Sequence, residues 1–142
     1  MLFPATNYER SRKAWTWIEE AWAILDHRFH FAQSRDVWVT FTPCQIDAKG
    51  FYEFARRIIY LRRDILRDRA TTEFVFAHEL FHWAIDGGRI CSLRRCLRRV
   101  ELDFVDAQDQ NMATEAVCSL LADRFFPLHG YYACLRAGGT LV

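Results

Sequence analysis

The segment FVFAHELFHWAID, residues 74–86, constrains the chain more than any other. It is apolar at most positions and carries few charges, so as a helix it belongs in a core rather than on a surface. Yet it holds two histidines and a glutamate, His78, Glu79 and His82, within five residues. Polar groups that lose water without gaining a partner cost free energy. A buried helix keeps three of them together only if something satisfies them, and a strongly electrophilic partner does so.

The rest of the chain is able to bury such a helix. At 142 residues it has the length of one domain, residues 1–142, with enough material for a core that needs no staples. Apolar residues make up 51% and aromatics 15%, which separates it from disordered chains. The net charge of +1 gives no global electrostatic case for nucleic acid or an anionic membrane. Its basic residues are almost all arginine, with Lys13 and Lys49 the only lysines. The five cysteines, Cys44, Cys91, Cys96, Cys118 and Cys134, form no CxxC pair, which argues against a zinc ribbon and against a disulfide scaffold. They read as free thiols in a reducing cytosol. MLFPATNYERSRK lacks the pattern of a signal peptide, and no apolar run reaches membrane-spanning length. The expected location is the cytoplasm, with no membrane partner.

Periodicity predicts a first helix over 8–31, capped by Thr6 or Asn7, with Ala14, Trp15, Ile18, Trp22, Leu25 and Phe29 on one face. VWVTFT, residues 37–42, predicts a strand ending at Pro43. A polar turn with Asp47 and Gly50 follows, then strands near 51–54 and 57–61, so that a meander or hairpin-rich sheet is expected. Thr71 or Thr72 is the expected cap of a second helix over 72–86, which Gly87 and Gly88 terminate. A short amphipathic helix at 91–100 and an acidic loop, ELDFVDAQDQ, lead to a third helix over 110–126, stopped by Pro127. The expected fold is a compact α+β domain with three main helices and a small, mostly antiparallel sheet.

On a helix, His78 and His82 stand one turn apart on the same face, so both imidazoles can reach one tetrahedral zinc. Glu79 leans beside that pair, where it can hold a water and take its proton, the general-base role in HExxH hydrolases. Without the metal, the same histidines read as surface residues or hydrogen-bonded core residues. A catalytic zinc needs a third protein ligand, for which Asp103, Asp106, Asp109, Glu115, Asp123 and His129 are candidates. Glu115 leads, because Ser119 and Ala122 on its own face are small enough for a close approach to the HExxH helix. Its bland reading is a first-turn acid favoured by the helix dipole. Asp123 is the reserve ligand, with a salt bridge or a contact to a histidine as its plainer role.

The order of RIIYLR, FVFAHELFHWAI and TEAVCSLLADRFFP resembles the short gluzincin-type metallopeptidases of the ImmA/IrrE group over residues 57–127. The residues that carry it are His78, Glu79, His82, Glu115 and Pro127. The resemblance implies a zincin-like domain and a zinc peptidase with Glu115 as third ligand. It also implies action in the cytosol, often on a regulator or repressor protein. Val117 stands where that group has Asn, residues 89–110 look like an arginine-rich insertion, and no helix-turn-helix is evident. The SprT-like family shares the HExxH helix but uses a later histidine, which would make His129 the ligand.

Three further features bear on function. RICSLRRCLRR, residues 89–99, holds five arginines, as a docking patch for nucleic acid or a partner, or as a solvated face paired with ELDFVD. His27 and His30 beside Asp26 form a possible second metal pair, against ordinary histidines on a helix surface. His129, Tyr131 and Tyr132 are candidate donors to an oxyanion. The reading these features support is a zinc-dependent metallopeptidase acting on a protein or peptide, with Glu79 as general base. The alternatives are a non-catalytic binding module of the same fold and a nucleic-acid-associated protein using the Arg89–Arg99 patch.

Overall fold

The computed structural model describes residues 1–4, 12–33, 35–42, 48–86 and 107–128, with side chains of the last segment described from Thr114 onward. The described elements are β1 (Leu2–Pro4), α1 (Arg12–Phe29), β2 (Val37–Thr42), β3 (Gly50–Glu53), β4 (Ile58–Arg62), α2 (Arg69–Asp86) and α3 (Ala107–Phe125). Three helices and a small sheet make the α+β fold that composition and periodicity predict.

The strands lie in the order β1-β2-β4-β3. β1 is parallel to β2, β2 is parallel to β4, and only β3 and β4 are antiparallel. This corrects the expectation of a mostly antiparallel sheet: the sheet is mixed, with two of its three pairings parallel. The cause is connectivity. The chain passes through α1 between β1 and β2, and a helical crossover returns the chain to the sheet in the same direction. β3 then takes the outer edge and hands the chain back to β4 beside β2.

Alternation along the strands sends Val37, Val39, Phe41, Ile59 and Leu61 to one face, where all are buried. α2 packs on β3 and β4, with α1 and α3 also against it. That central place explains why α2 is apolar nearly all round: Phe74, Val75, Phe76, Ala77, Leu80, Phe81, Trp83 and Ala84 are all buried. Aromatic rings fill the space between helices, with Phe29 edge-on to both Phe81 and Phe125 and Phe31 edge-on to Trp83.

Helix ends differ from expectation for local reasons. α1 stops at Phe29 because His30 takes a left-handed conformation (φ 58°), while the Asp26 carboxylate accepts the Ala32 amide. The proposed caps Thr6 and Asn7 lie outside the described residues. α2 begins at Arg69, and its cap is Asp68 rather than Thr71 or Thr72. The Asp68 carboxylate accepts the Thr71 amide at 3.0 Å and the Thr71 hydroxyl as well. The Thr72 hydroxyl is buried, 2.8 Å from the carbonyl oxygens of Ile65 and of Asp68. No described helix is long and apolar enough to cross a membrane.

Candidate metal centre

His78 and His82 project from the side of α2 that faces α3, and α3 brings Glu115 to meet them. Glu115 Oε2 lies 2.8 Å from His78 Nε2, and its Oε1 lies 2.9 Å from His82 Nε2. The two Nε2 atoms are 3.2 Å apart. Ligand atoms of the three residues all fall within 4.8 Å of one another, the one such group of His, Cys, Asp or Glu among the described residues. A tetrahedron with metal–ligand bonds of about 2.0–2.1 Å has edges of about 3.3–3.4 Å, close to these separations. The donor set, two imidazoles and a carboxylate, is one that zinc favours. His78 and His82 are largely buried, whereas the Glu115 side chain is 54% exposed. The triangle is therefore exposed on the Glu115 side.

α3 contributes more than one ligand. Residues three and four positions apart share a helix face, so Glu115, Cys118 and Ser119 all turn toward α2. Ser119 Oγ lies 3.1 Å from His78 Nδ1, the ring nitrogen directed away from Glu115. Cys118, fully buried, lies beside His82. The Ser119 contact fixes the orientation of the His78 ring, with Ser119 suited to accept the Nδ1 proton of a His78 that ligates through Nε2.

Glu79 is buried, its carboxylate 3.9 Å from His78 Nε2. It sits beside the donor triangle and outside it. A cleft of about 840 Å³ opens over the group, lined by Gly50, Tyr52 and Phe54 from the β3 hairpin and by Val75 and Ile85 from α2. At its end, Asp86 accepts hydrogen bonds from the Tyr52 hydroxyl (3.0 Å) and the Arg35 guanidinium (2.6 Å).

The electrostatics follow from this crowding. Burial pushes the Glu79 carboxyl up, a shift that His78 and His82 only partly oppose. Burial also works to raise Glu115, but hydrogen bonds from both histidines outweigh it and hold that carboxyl well below the usual carboxylate range. For His82 burial disfavours the charged form, yet the contacts with Cys118 and Glu115 prevail and raise it to about 11. The same crowding of two imidazoles and a carboxylate is one that a divalent cation could satisfy in place of a proton.

Of the residues singled out in the sequence, His78, Glu79, His82 and Glu115 are brought together. Asp123 lies two turns further along α3 and does not join the group. His27 and His30 are exposed and belong to no such group. Asp103, Asp106, His129, Tyr131, Tyr132, the 91–100 helix and the Arg89–Arg99 patch lie outside the described residues. Asp109 is described only as a position on α3. Sequence reasoning passed over Cys118 and Tyr52, and treated Ser119 only as a small neighbour. The spacing of Glu115, Cys118 and Ser119 was the available signal, since polar side chains at i, i+3 and i+4 share a face. No family model matches the chain, and no curated protein or solved structure matches it either.

Proposed function

We propose that the chain is a zinc-dependent metallopeptidase in which His78, His82 and Glu115 hold the metal and Glu79 is the general base. The observation that carries this reading is the convergence of three ligand atoms, from two helices, at the floor of a cleft beside a buried carboxylate that is not itself part of the triangle. Zinc bound there would supply Lewis acidity, polarising the scissile carbonyl and making water easier to deprotonate. Glu79 takes the proton of the attacking water as its oxygen bonds to the carbonyl carbon. It then returns that proton to the amine nitrogen as the C–N bond breaks. Ser119 holds the His78 imidazole in place throughout. The β3 edge flanks the cleft, and its outward backbone groups can pair with an extended peptide.

The test combines metal analysis with an assay on a library of unstructured peptides. The expected result is about one zinc per chain and cleavage that is lost with a chelator and restored by added zinc. Zinc-loaded protein that cuts none of the library would reduce the reading to a metal-binding module.

A further inference from the structure

The cleft has a length as well as a floor, because β3 runs along α2. A Cβ built on Gly50 would lie 2.5 Å from Val75 Cγ1 and 3.2 Å from Glu79 Cγ, so the strand begins at the level of those two residues. Two residues on, the Tyr52 hydroxyl reaches Asp86 at the far end of the helix. Phe54, just beyond the strand, lines the same cleft. His82 and Asp86 are four residues apart on α2, hence on one face and about 6 Å apart along its axis. About two residues of an extended peptide cover that length. The Asp86 end of the cleft thus meets a side chain about two positions from a bond held at the metal group.

Asp86 is anchored there by one of its two oxygens. Oδ2 accepts the Tyr52 hydroxyl at 3.0 Å and the Arg35 guanidinium at 2.6 Å. Arg35 also reaches the Trp83 carbonyl oxygen at 3.4 Å. Oδ1 has no hydrogen-bond partner among the described residues. Asp86, Tyr52, Ile85 and Phe54 line the cleft, and Arg35 does not, so the carboxylate faces the cleft and its cation stands outside. The ion pair cancels most of the charge of Asp86 at long range. At contact, a second cation still gains a charge-assisted hydrogen bond to the remaining oxygen.

Phe54 adds to this. It is 71% exposed, more than any other large apolar side chain among the described residues. A single exposed phenylalanine is ordinary on a surface. One that shares a cleft with an anchored carboxylate offers a long basic side chain two attractions. The ring face attracts the cation, and the ring and Ile85 cover the aliphatic stem. A neutral side chain would use only the apolar part, and an acidic one would meet Asp86.

We infer that Asp86, together with Phe54, is a specificity subsite for a basic side chain of the substrate, an arginine or lysine about two residues from the scissile bond. The inference rests on the peptidase reading of the metal centre, but its physical content is recognition of a cation, which needs no turnover.

Arginine and citrulline are nearly equal in size and differ in charge, so a pair of peptides that exchanges one for the other isolates the charge. The pair takes the sequence of a library hit, with the exchange made two positions from the cut bond, on each side in turn. For full-length, zinc-loaded wild type, kcat/KM should be at least about fivefold higher for arginine on one of the two sides. Asp86→Asn keeps the size of the side chain and should bring that ratio to within about twofold of one. Phe54→Ser, at a position with little packing to lose, should lower it about two- to threefold. A wild-type ratio below about fivefold on both sides overturns the inference, as does a ratio that Asp86→Asn leaves unchanged. A ratio that Phe54→Ser leaves unchanged removes Phe54 from the subsite. Should wild type cleave no peptide, the peptidase reading falls on its own. Fluorescence anisotropy of labelled alanine-based peptides carrying arginine or citrulline then measures the same ratio as binding constants and still decides the subsite.

Discussion

Ser119 on α3 and His78 on α2 are joined by a 3.1 Å contact between the hydroxyl oxygen and Nδ1, on the side of the ring opposite Glu115. One helix thereby supplies a carboxylate to one side of the His78 ring and a support to the other. Ser119 is 1% exposed, so no solvent stands ready to replace it. Ser119→Ala should weaken zinc binding about 10- to 100-fold while the chain remains folded, the usual cost of losing an outer partner of a ligating histidine. Competition against a chelator of known affinity measures this, and unchanged affinity would remove Ser119 from the site.

The third ligand separates two carboxylates of the same helix. Glu115→Gln keeps the size of the side chain and removes its charge, and zinc affinity should fall by more than about tenfold. Asp123→Asn, at a position outside the converging group, should change it by less than about twofold. His82→Ala should lose most of the metal. Elemental analysis of the three purified variants distinguishes them, and a larger loss from Asp123→Asn than from Glu115→Gln would reassign the site.

Glu79 should behave unlike its neighbours. It lies beside the triangle rather than in it, so Glu79→Gln is expected to keep zinc and fold. Hydrolysis should drop by about 100- to 10,000-fold because an amide cannot accept the proton of water. Retained cleavage by the zinc-loaded variant would exclude the general-base role.

Without metal, the His82–Glu115 pair gives stability a defined pH window. His82 is raised from 6.5 to about 11, so its contribution is complete below 6.5 and fades as pH climbs toward 11. Glu115 is depressed from 4.5, so its contribution is complete above 4.5 and is lost as pH falls through its lowered folded value. Both are present together between 4.5 and 6.5. The difference in urea midpoint between zinc-free wild type and zinc-free Glu115→Gln should be widest in that interval and narrow on both sides. It should also be modest, since the Glu115 side chain is more than half exposed. A difference that widens steadily above pH 8 would contradict the pairing.

The parts of the molecule that sequence revealed are those written in local periodicity. α2 and its HExxH residues, the buried stripe of α1, and the strand VWVTFT need only neighbours within a few positions to be recognised. Strand direction was hidden because it depends on partners far along the chain: Leu2 pairs with Val37, and Trp38 pairs with Ile58. β1 itself has only three residues and carries no pattern of its own. Asp68 was missed as a cap because Thr71 and Thr72 also belong to the capping class, and the choice among them is made by backbone geometry. Gly50 reads in sequence as part of a turn, and only the proximity of Val75 and Glu79 shows it as a point of contact. Glu115 was found because a carboxylate followed by small residues suggests close approach. The same smallness disguised Ser119 as mere spacing.

The ligands come from places in the chain that are made at different times. His78 and His82 leave the ribosome together, but Glu115 follows 37 residues after His78. A growing polypeptide that has reached the end of α2 has two imidazoles and no carboxylate to complete them. The metal group proposed here is thus absent from every fragment that stops short of α3, including nascent chains and products truncated before residue 107. An unfinished chain carries the HExxH signature in full and still lacks the third ligand, so the hydrolytic capacity proposed for this protein would arrive only with its last described helix.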